Sequence, residues 1–290
     1  LGPRLADIKQ ELLEGRGFVL IRGIPVGDYT LEESERIYWG IGAHLGTARS
    51  QNAKGHLLGH VCNLGDQLDA FGNPGKVRVY QTRVRQRFHT DSTDFVGLMC
   101  LQKSKSGGES SICSSVSVHD EMYRRDPDLW AILYEPLWRD RRGEIPPGKC
   151  DYYPMAAFHY HAGKLSTIYA RDYMESCARF DELPKLTDKQ IAAFDLFDEI
   201  TESAEFRLDM AFEPGDVQFL HNHQILHARA GFEDWPEIER RRHLLRLWLC
   251  PDNGRPLPDS MLERYLTVKI GDRGGIVGQN TELNVPLEPV

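Results

Sequence analysis

The chain has 290 residues, 41% hydrophobic and 27% charged, with a formal net charge of -8. That balance belongs to a globular chain with a sizeable core and excludes a disordered or low-complexity one. It also argues against general affinity for nucleic acid or anionic membrane, and no apolar run approaches the roughly 18 residues needed to span a bilayer.

Leu5, Ile8, Leu12 and Leu13 recur at helical spacing and predict a first helix over residues 4–15. Residues 17–24 form a short β-rich run closed by Pro25. Thr30 and Glu33 make a capping box that opens a second helix, with Ile37, Ile41 and Leu45 on its apolar face. Residues 46–76 are rich in Gly, Asn and Asp and read as loop, a candidate lid. The stretches 77–84 and 95–101 read as strands. In the first, Tyr80, Thr82 and Val84 alternate with Val79, Gln81 and Arg83, so one set is a candidate pocket wall, as are Trp248 and Tyr169.

Helical signals return over 117–134, and residues 136–170 suggest a meander of short strands. Thr187 and Gln190 cap a third long helix, with Ile191, Phe194, Phe197 and Ile200 on its buried side. A turn at Pro214-Gly215-Asp216 precedes strands at 217–220 and 243–249. No repeat or linker divides the chain, so one domain over 1–290 is expected. The alternating strand-helix rhythm of a doubly wound sheet is missing, as is a Gly-rich nucleotide loop. The expected class is mainly β with helical decoration, such as a jelly roll. The six cysteines are scattered without a C-x-x-C pair and read as reduced thiols of a cytoplasmic protein. The opening Leu1-Gly2-Pro3-Arg4 does not read as a signal peptide.

Four segments can carry chemistry. In Phe88-His89-Thr90-Asp91, extended backbone puts His89 and Asp91 on one face, where an imidazole nitrogen and a carboxylate oxygen can meet one ion. The alternative is a surface His and Asp beside a turn. Later, His221, His223 and His227 fall within seven residues. One of them would complete a 2-His-1-carboxylate triad, the arrangement of O2-activating non-haem iron sites. Three alternatives stay open here. His223 and His227 have zinc-pair spacing but lack the glutamate of H-E-x-x-H; His221 and His223 have the spacing of a cupin-like strand pair; and all three could be packed core histidines.

The third segment, residues 240–248, puts Arg242, Leu244, Arg246 and Trp248 on one strand face and His243, Leu245, Leu247 and Leu249 on the other. Arginines on so apolar a strand are costly unless each meets an anion, and a guanidinium grips a carboxylate with two parallel bonds. A solvated basic cluster accounts for Arg240 and Arg241 but poorly for Arg246. The fourth segment, Gly107-Gly108-Glu109-Ser110, is a glycine turn followed by a hydroxyl.

Taken in this order, the four segments resemble the TauD/TfdA family of Fe(II)- and 2-oxoglutarate-dependent dioxygenases, over roughly residues 17–248. The resemblance implies a double-stranded β-helix core. His89 and Asp91 match the family's H-x-D, and Asn222-x-x-x-x-His227 matches the segment of the distal ligand, which selects His227 over His221 and His223. Ser110 stands where the family has a co-substrate-binding hydroxyl, usually threonine. Arg242 matches the arginine that pairs with the distal carboxylate of 2-oxoglutarate, and Arg246 the one that faces co-substrate or substrate. The implied cofactors are Fe(II), 2-oxoglutarate and O2, and the implied reaction is oxidation of an unactivated C–H bond of a small organic substrate, by default hydroxylation, with release of succinate and CO2. Asp91 argues against halogenation, because the related halogenases replace that carboxylate with a small residue. The competing readings are a cupin-like metal protein or isomerase working through His221, His223 and His227 without 2-oxoglutarate, and a non-catalytic binding module on the same jelly roll. The expected partner is a small molecule, with no nucleic acid and no membrane; homo-oligomerisation is left open.

Overall fold

A computed structural model describes residues 1–64 and 79–289 of the chain. Its helices are α1 (Gly2–Glu14), α2 (Leu31–Leu45), α3 (Ser115–Arg125), α4 (Pro127–Ile132), α5 (Arg171–Glu175), α6 (Asp188–Glu202) and α7 (Leu262–Tyr265). Its first strands are β1 (Phe18–Ile21), β2 (Thr47–Ala48), β3 (Leu58–Cys62), β4 (Gln86–His89), β5 (Phe95–Gln102), β6 (Ser106–Gly107) and β7 (Ser110–Ser114). β8 (Leu137–Asp140), β9 (Tyr152–Met155), β10 (Phe158–His161), β11 (Lys164–Thr167) and β12 (Arg207–Met210) follow. The last are β13 (Val217–His221), β14 (Ile225–Arg229), β15 (Phe232–Glu233) and β16 (His243–Cys250).

Two antiparallel sheets organise these elements. A six-stranded sheet runs β1-β13-β5-β16-β2, with β3 also paired to β16, and a four-stranded sheet runs β12-β7-β14-β4. Strand alternation sorts their side chains into layers. On β16, Leu245, Leu247 and Leu249 face outward onto Leu12 and Leu13 of α1 and Tyr38 and Leu45 of α2. On the other sheet, Leu226 and Ala228 of β14 face outward onto Phe194 and Phe197 of α6 and Met122 of α3. Between the sheets, Val96, Leu220 and Trp248 meet Ile112 and Ile225. The chain is therefore mainly β with helices on its outer faces, as its composition of segments suggests.

Each outer layer follows from local sequence. Both capping boxes form: Thr30 with Glu33 starts α2, and Thr187 with Gln190 starts α6. Burying a leucine such as Leu12 beneath α1 stabilises the fold by about 1.5–3 kcal/mol.

Several expectations need correction. The helix over 117–134 is two helices, because Pro127 cannot continue a helix and the Asp126 carboxylate caps the next one through Asp128 and Leu129 N–H. The expected loop 46–76 contains buried β3, whose Gly59 and His60 disguise a strand; residues 65–76 lie outside the described residues. In the expected strand 77–84, residues 79–81 form a 3-10 turn and strand pairing starts only at Gln86, while 77 and 78 lie outside the described residues. The alternation assigned to Tyr80, Thr82 and Val84 is therefore not that of a strand, and Val84 is 50% exposed. Ile191, expected on the buried side of α6, is 39% exposed. The meander over 136–170 is present as β8 to β11.

Candidate active site

His89 is the last residue of β4, and His227 sits directly opposite it on β14. Two histidines 138 positions apart in the chain are thus cross-strand neighbours, with ring centroids 4.1 Å apart. On β14, Ile225, His227 and Arg229 point inward because Leu226 and Ala228 are committed to the helical layer. Asp91 lies just past β4. Its carboxylate oxygens are 3.7 Å from His89 Nε2 and 3.6 Å from His227 Nε2. One ligand atom from each of the three residues fits within 4.8 Å, and no other such group occurs among the described residues.

Backbone anchors hold this geometry. The Asn222 side chain accepts a hydrogen bond from Asp91 N–H (2.8 Å) and donates to the carbonyls of Asp91 (2.6 Å) and Thr93 (2.9 Å). His89 Nδ1–H donates to the Arg87 carbonyl at 2.9 Å, which fixes the tautomer and leaves the Nε2 lone pair facing the cluster. The Gln86 amide donates to that lone pair at 2.9 Å, the position a metal ion would claim. Trp248 Nε1–H donates to Asp91 Oδ2 at 2.9 Å. Trp248, expected as a pocket wall or core residue, thus orients the carboxylate directly.

Electrostatics prepare the same ligand set. Burial, reinforced by neighbouring His227, pushes His89 down to about 4, so its imidazole is neutral near pH 7. Burial disfavours the Asp91 anion, but His227, Arg246 and His89 outweigh it and hold the carboxylate well below its usual range. A neutral His89 imidazole and a firmly ionised Asp91 carboxylate, with the His227 nitrogen beside them, have the N,N,O donor types that suit a divalent transition metal.

A second set of polar groups lies behind the histidines. Ser110, Arg242, Arg246, His89 and His227 line one cavity. Ser110 opens β7 and is inward because Ile112, on the same face, packs between the sheets. Arg242 lies one residue before β16, not on it, and its guanidinium rests 5.2 Å from the Phe232 ring centre. It is 5% exposed and its Nη1 has no hydrogen-bond partner among the described residues. A buried donor left open in this way fits an anionic ligand. The glycine turn makes room for it: at Gly108 (φ +79°) a Cβ would sit 3.1 Å from Arg242 Nε. At Gly107 (φ +72°) a Cβ would sit 2.4 Å from the Gly231 carbonyl.

Arg246 occupies different surroundings. Its Nε donates to Gln51 Oε1 at 2.6 Å, its Nη1 is 3.9 Å from Asp91 Oδ2, and its guanidinium stacks on Tyr80 (4.4 Å) and Trp248 (5.1 Å). It faces the His89–Asp91–His227 cluster, whereas Arg242 sits deeper.

His221 and His223 belong elsewhere. His223 Nε2 donates to Asp94 Oδ1 at 3.0 Å, and Asp94 is gripped by Arg273 at 2.6–3.1 Å. His221 packs edge-on against Phe95, wholly buried. Neither joins the group that His89, Asp91 and His227 form, and among the described residues no cluster brings His221 and His223, or His223 and His227, together with a third ligand. Tyr169 is core, stacked on Phe197 at 3.9 Å.

Sequence reasoning missed two residues here. Gln51 bridges Arg246 Nε and the Arg246 carbonyl from within the presumed loop, with no local pattern to mark it. Arg229 lines the deep cavity beside Arg242 and donates to the carbonyls of Thr82 and Val84. Its position two residues after His227 on one strand was a usable signal.

Comparison with known proteins agrees with this architecture. A family model described as "Taurine catabolism dioxygenase TauD, TfdA family" matches residues 1–248. FR-33289 synthase of Streptomyces rubellomurinus is 34% identical over 265 residues, covering 90% of this chain and 76% of that protein. The taurine hydroxylase-like protein SAT17 of Stachybotrys chartarum is 29% identical over 254 residues, covering 85% of this chain and 64% of that longer protein. Among solved structures, asparagine oxygenase in complex with Fe(II), 2S,3S-3-hydroxyasparagine and succinate aligns with a TM-score of 0.63 at 14% identity, covering 86% of this chain and 78% of that one. The non-heme iron oxygenase OrfP in complex with Fe, succinate and (3S)-hydroxy-L-Arg aligns with a TM-score of 0.61 at 14% identity, covering 85% and 80%. At that identity the structural likeness establishes the fold.

Proposed function

The chain belongs to the TauD/TfdA family and is an Fe(II)- and 2-oxoglutarate-dependent dioxygenase, and we propose that His89, Asp91 and His227 hold its iron while Ser110, Arg242 and Arg246 hold its co-substrate. The observation that carries this assignment is the convergence of one histidine nitrogen from each of two paired strands on a single carboxylate, within 4.8 Å.

In this reading the bound iron supplies O2 activation, so that 2-oxoglutarate, O2 and a substrate C–H bond yield succinate, CO2 and the hydroxylated product. The protein's own groups do the positioning. Arg242 pairs with the distal carboxylate of 2-oxoglutarate through its fork, and Ser110 donates a hydrogen bond to the same group. Arg246, held by Gln51, faces the carboxylate end nearest the metal ligands. Trp248 and Asn222 keep Asp91 aimed at the two histidines. Leu98, Phe212 and Leu244 wall the deep cavity and exclude water from it. Hydroxylation of a small organic molecule is the proposed outcome; the two similar solved structures were obtained with hydroxylated amino acids. A double-stranded β-helix core and one oxygenase domain over 1–290 are part of the same proposal, supported by the apolar layer that the two sheets share and by Arg273 reaching back to Asp94.

The test is anaerobic titration of Fe(II) with 2-oxoglutarate, read as a weak visible charge-transfer band. His227→Ala should abolish the band, and His223→Ala should retain it in whatever fraction folds. The reverse pattern would overturn the ligand assignment.

A further inference from the structure

Beyond residue 248, where the family model ends, the chain returns to the site. Four consecutive residues of this segment, Arg273-Gly274-Gly275-Ile276, meet the two loops on which the candidate groups are mounted. Arg273 is 1% exposed and grips the Asp94 carboxylate at 2.6–3.1 Å. Gly275 N–H donates at 2.6 Å to the carbonyl of Ser92, the residue after Asp91. Ile276 N–H donates at 2.8 Å to the carbonyl of Ser50, the residue before Gln51. The Ile276 side chain lines the cavity over the cluster with Gln51, Asp91, Arg246 and Trp248.

Two successive amides of one segment therefore tie the neighbour of Asp91 to the neighbour of Gln51. Gln51 in turn holds Arg246 Nε at 2.6 Å, and Arg246 Nη1 stands 3.9 Å from Asp91 Oδ2. The spacing between the proposed metal ligand and the proposed co-substrate arginine is thus braced from outside both loops. Such groups work only when held within about 0.5 Å of their productive positions.

Glycine makes the close approach possible. Gly274 and Gly275 are left-handed, with φ +84° and +87°. A Cβ on Gly274 would lie 3.0 Å from the Ser92 carbonyl oxygen and 3.2 Å from Thr93 Cα. A Cβ on Gly275 would lie 3.0 Å from the Ser50 carbonyl oxygen and 3.2 Å from Arg49 Cβ. Each added methyl would press mainly on backbone, one on the Asp91 loop and the other on the Gln51 loop. Gly271 of the same segment is also left-handed (φ +79°), but a Cβ there meets nothing closer than 3.5 Å.

We propose that residues 273–276 are a positioning clip. Through Gly274 and Gly275 the C-terminal segment holds the Asp91 and Gln51 loops at the spacing that iron and co-substrate require, and Ile276 closes the cavity wall between them. This rests on the oxygenase reading above and gives a segment beyond the family match a part in it.

The test is three glycine replacements in the full chain, each titrated anaerobically with Fe(II) by calorimetry and then with 2-oxoglutarate by the visible band. Gly274→Ala crowds Ser92, and Fe(II) affinity should fall about tenfold or more. Gly275→Ala crowds Ser50, and 2-oxoglutarate affinity should fall about tenfold or more while Fe(II) affinity is retained. Gly271→Ala carries the same backbone penalty without the crowding and should keep both affinities. A merely structural role would lower the melting temperature and leave the affinities of the folded fraction unchanged. That result in both crowded variants, or an equal loss of affinity in Gly271→Ala, would overturn the clip. If a crowded variant does not fold, hydrogen exchange in the wild type decides. Loading with Fe(II) and 2-oxoglutarate should slow exchange of the Gly275 and Ile276 amides about tenfold, because linked equilibria are reciprocal. The Asp272 amide, which donates to the Lys269 carbonyl, should exchange as before. Unchanged exchange at Gly275 and Ile276 would also overturn the clip. Absence of the band in the wild type would instead overturn the oxygenase reading, which keeps the two failures distinct.

Discussion

Trp248 donates its indole N–H to Oδ2 of Asp91, the same carboxylate oxygen that lies 3.6 Å from His227 Nε2. A side chain on the long β16 strand therefore fixes the rotation of the one acidic residue in the cluster. Partners of this kind commonly change metal affinity ten- to a hundredfold when removed. Trp248→Phe keeps an aromatic ring against Val96 and Leu220 but removes the donor. Fe(II) affinity should fall by about ten- to a hundredfold in anaerobic titration, with the melting temperature lowered by only a few degrees.

Arg242 is buried with an open donor, so its contribution should appear as co-substrate affinity. A charge-assisted pair is worth about 1.5–3 kcal/mol. Arg242→Ala should weaken 2-oxoglutarate about ten- to a hundredfold or more. Arg242→Lys restores charge without the planar fork, and only partial recovery is expected. Unchanged affinity in the alanine variant would remove Arg242 from the site.

Arg246 offers a sharper kinetic test because Gln51 holds it against the Asp91 side of the site. If it serves the co-substrate, Arg246→Gln should lower coupled product formation and uncoupled 2-oxoglutarate consumption together. A loss of coupled turnover alone would assign it to substrate instead. A drop in melting temperature with normal kinetics in the folded fraction would make it structural.

The Asp94–Arg273 pair predicts a pH-dependent stability. Burial opposes the Asp94 anion, but His223 and Arg273 outweigh it and hold its carboxyl well below the usual carboxylate range. A depressed carboxylate stabilises the fold above its unfolded pKa, and that contribution is lost as pH falls below about 4. Arg273→Met leaves a buried charge without its main partner and should cost about 3–5 kcal/mol near neutrality. In urea unfolding the deficit should shrink between pH 7 and pH 3.5, because protonation removes the uncompensated charge. A constant deficit would show that packing, not charge, is lost.

Much of this was readable before any fold was known. The His89-x-Asp91 spacing, the Asn222 to His227 segment and the paired Arg242 and Arg246 are short patterns, and the even spacings within the first and last follow the two-residue alternation of extended chain. The capping boxes at Thr30 and Thr187 are equally local and both form. The strand β3 was not readable, because its burial comes from pairing with β16, nearly 200 positions away, and not from alternation of its own residues.

The sequence by itself determined which residue types could hold a metal and a dicarboxylate, and in which order they occur. Residue spacing left the three histidines open and the family resemblance pointed to His227; only the tertiary structure gave the register that sets His227 opposite His89 and turns His223 to Asp94. It alone turned Trp248 from a candidate wall into a donor to Asp91. The physical reason is one of range. Side-chain direction repeats every two residues along a strand and is encoded locally, whereas pairing register and charge neutralisation depend on groups brought together from distant parts of the chain.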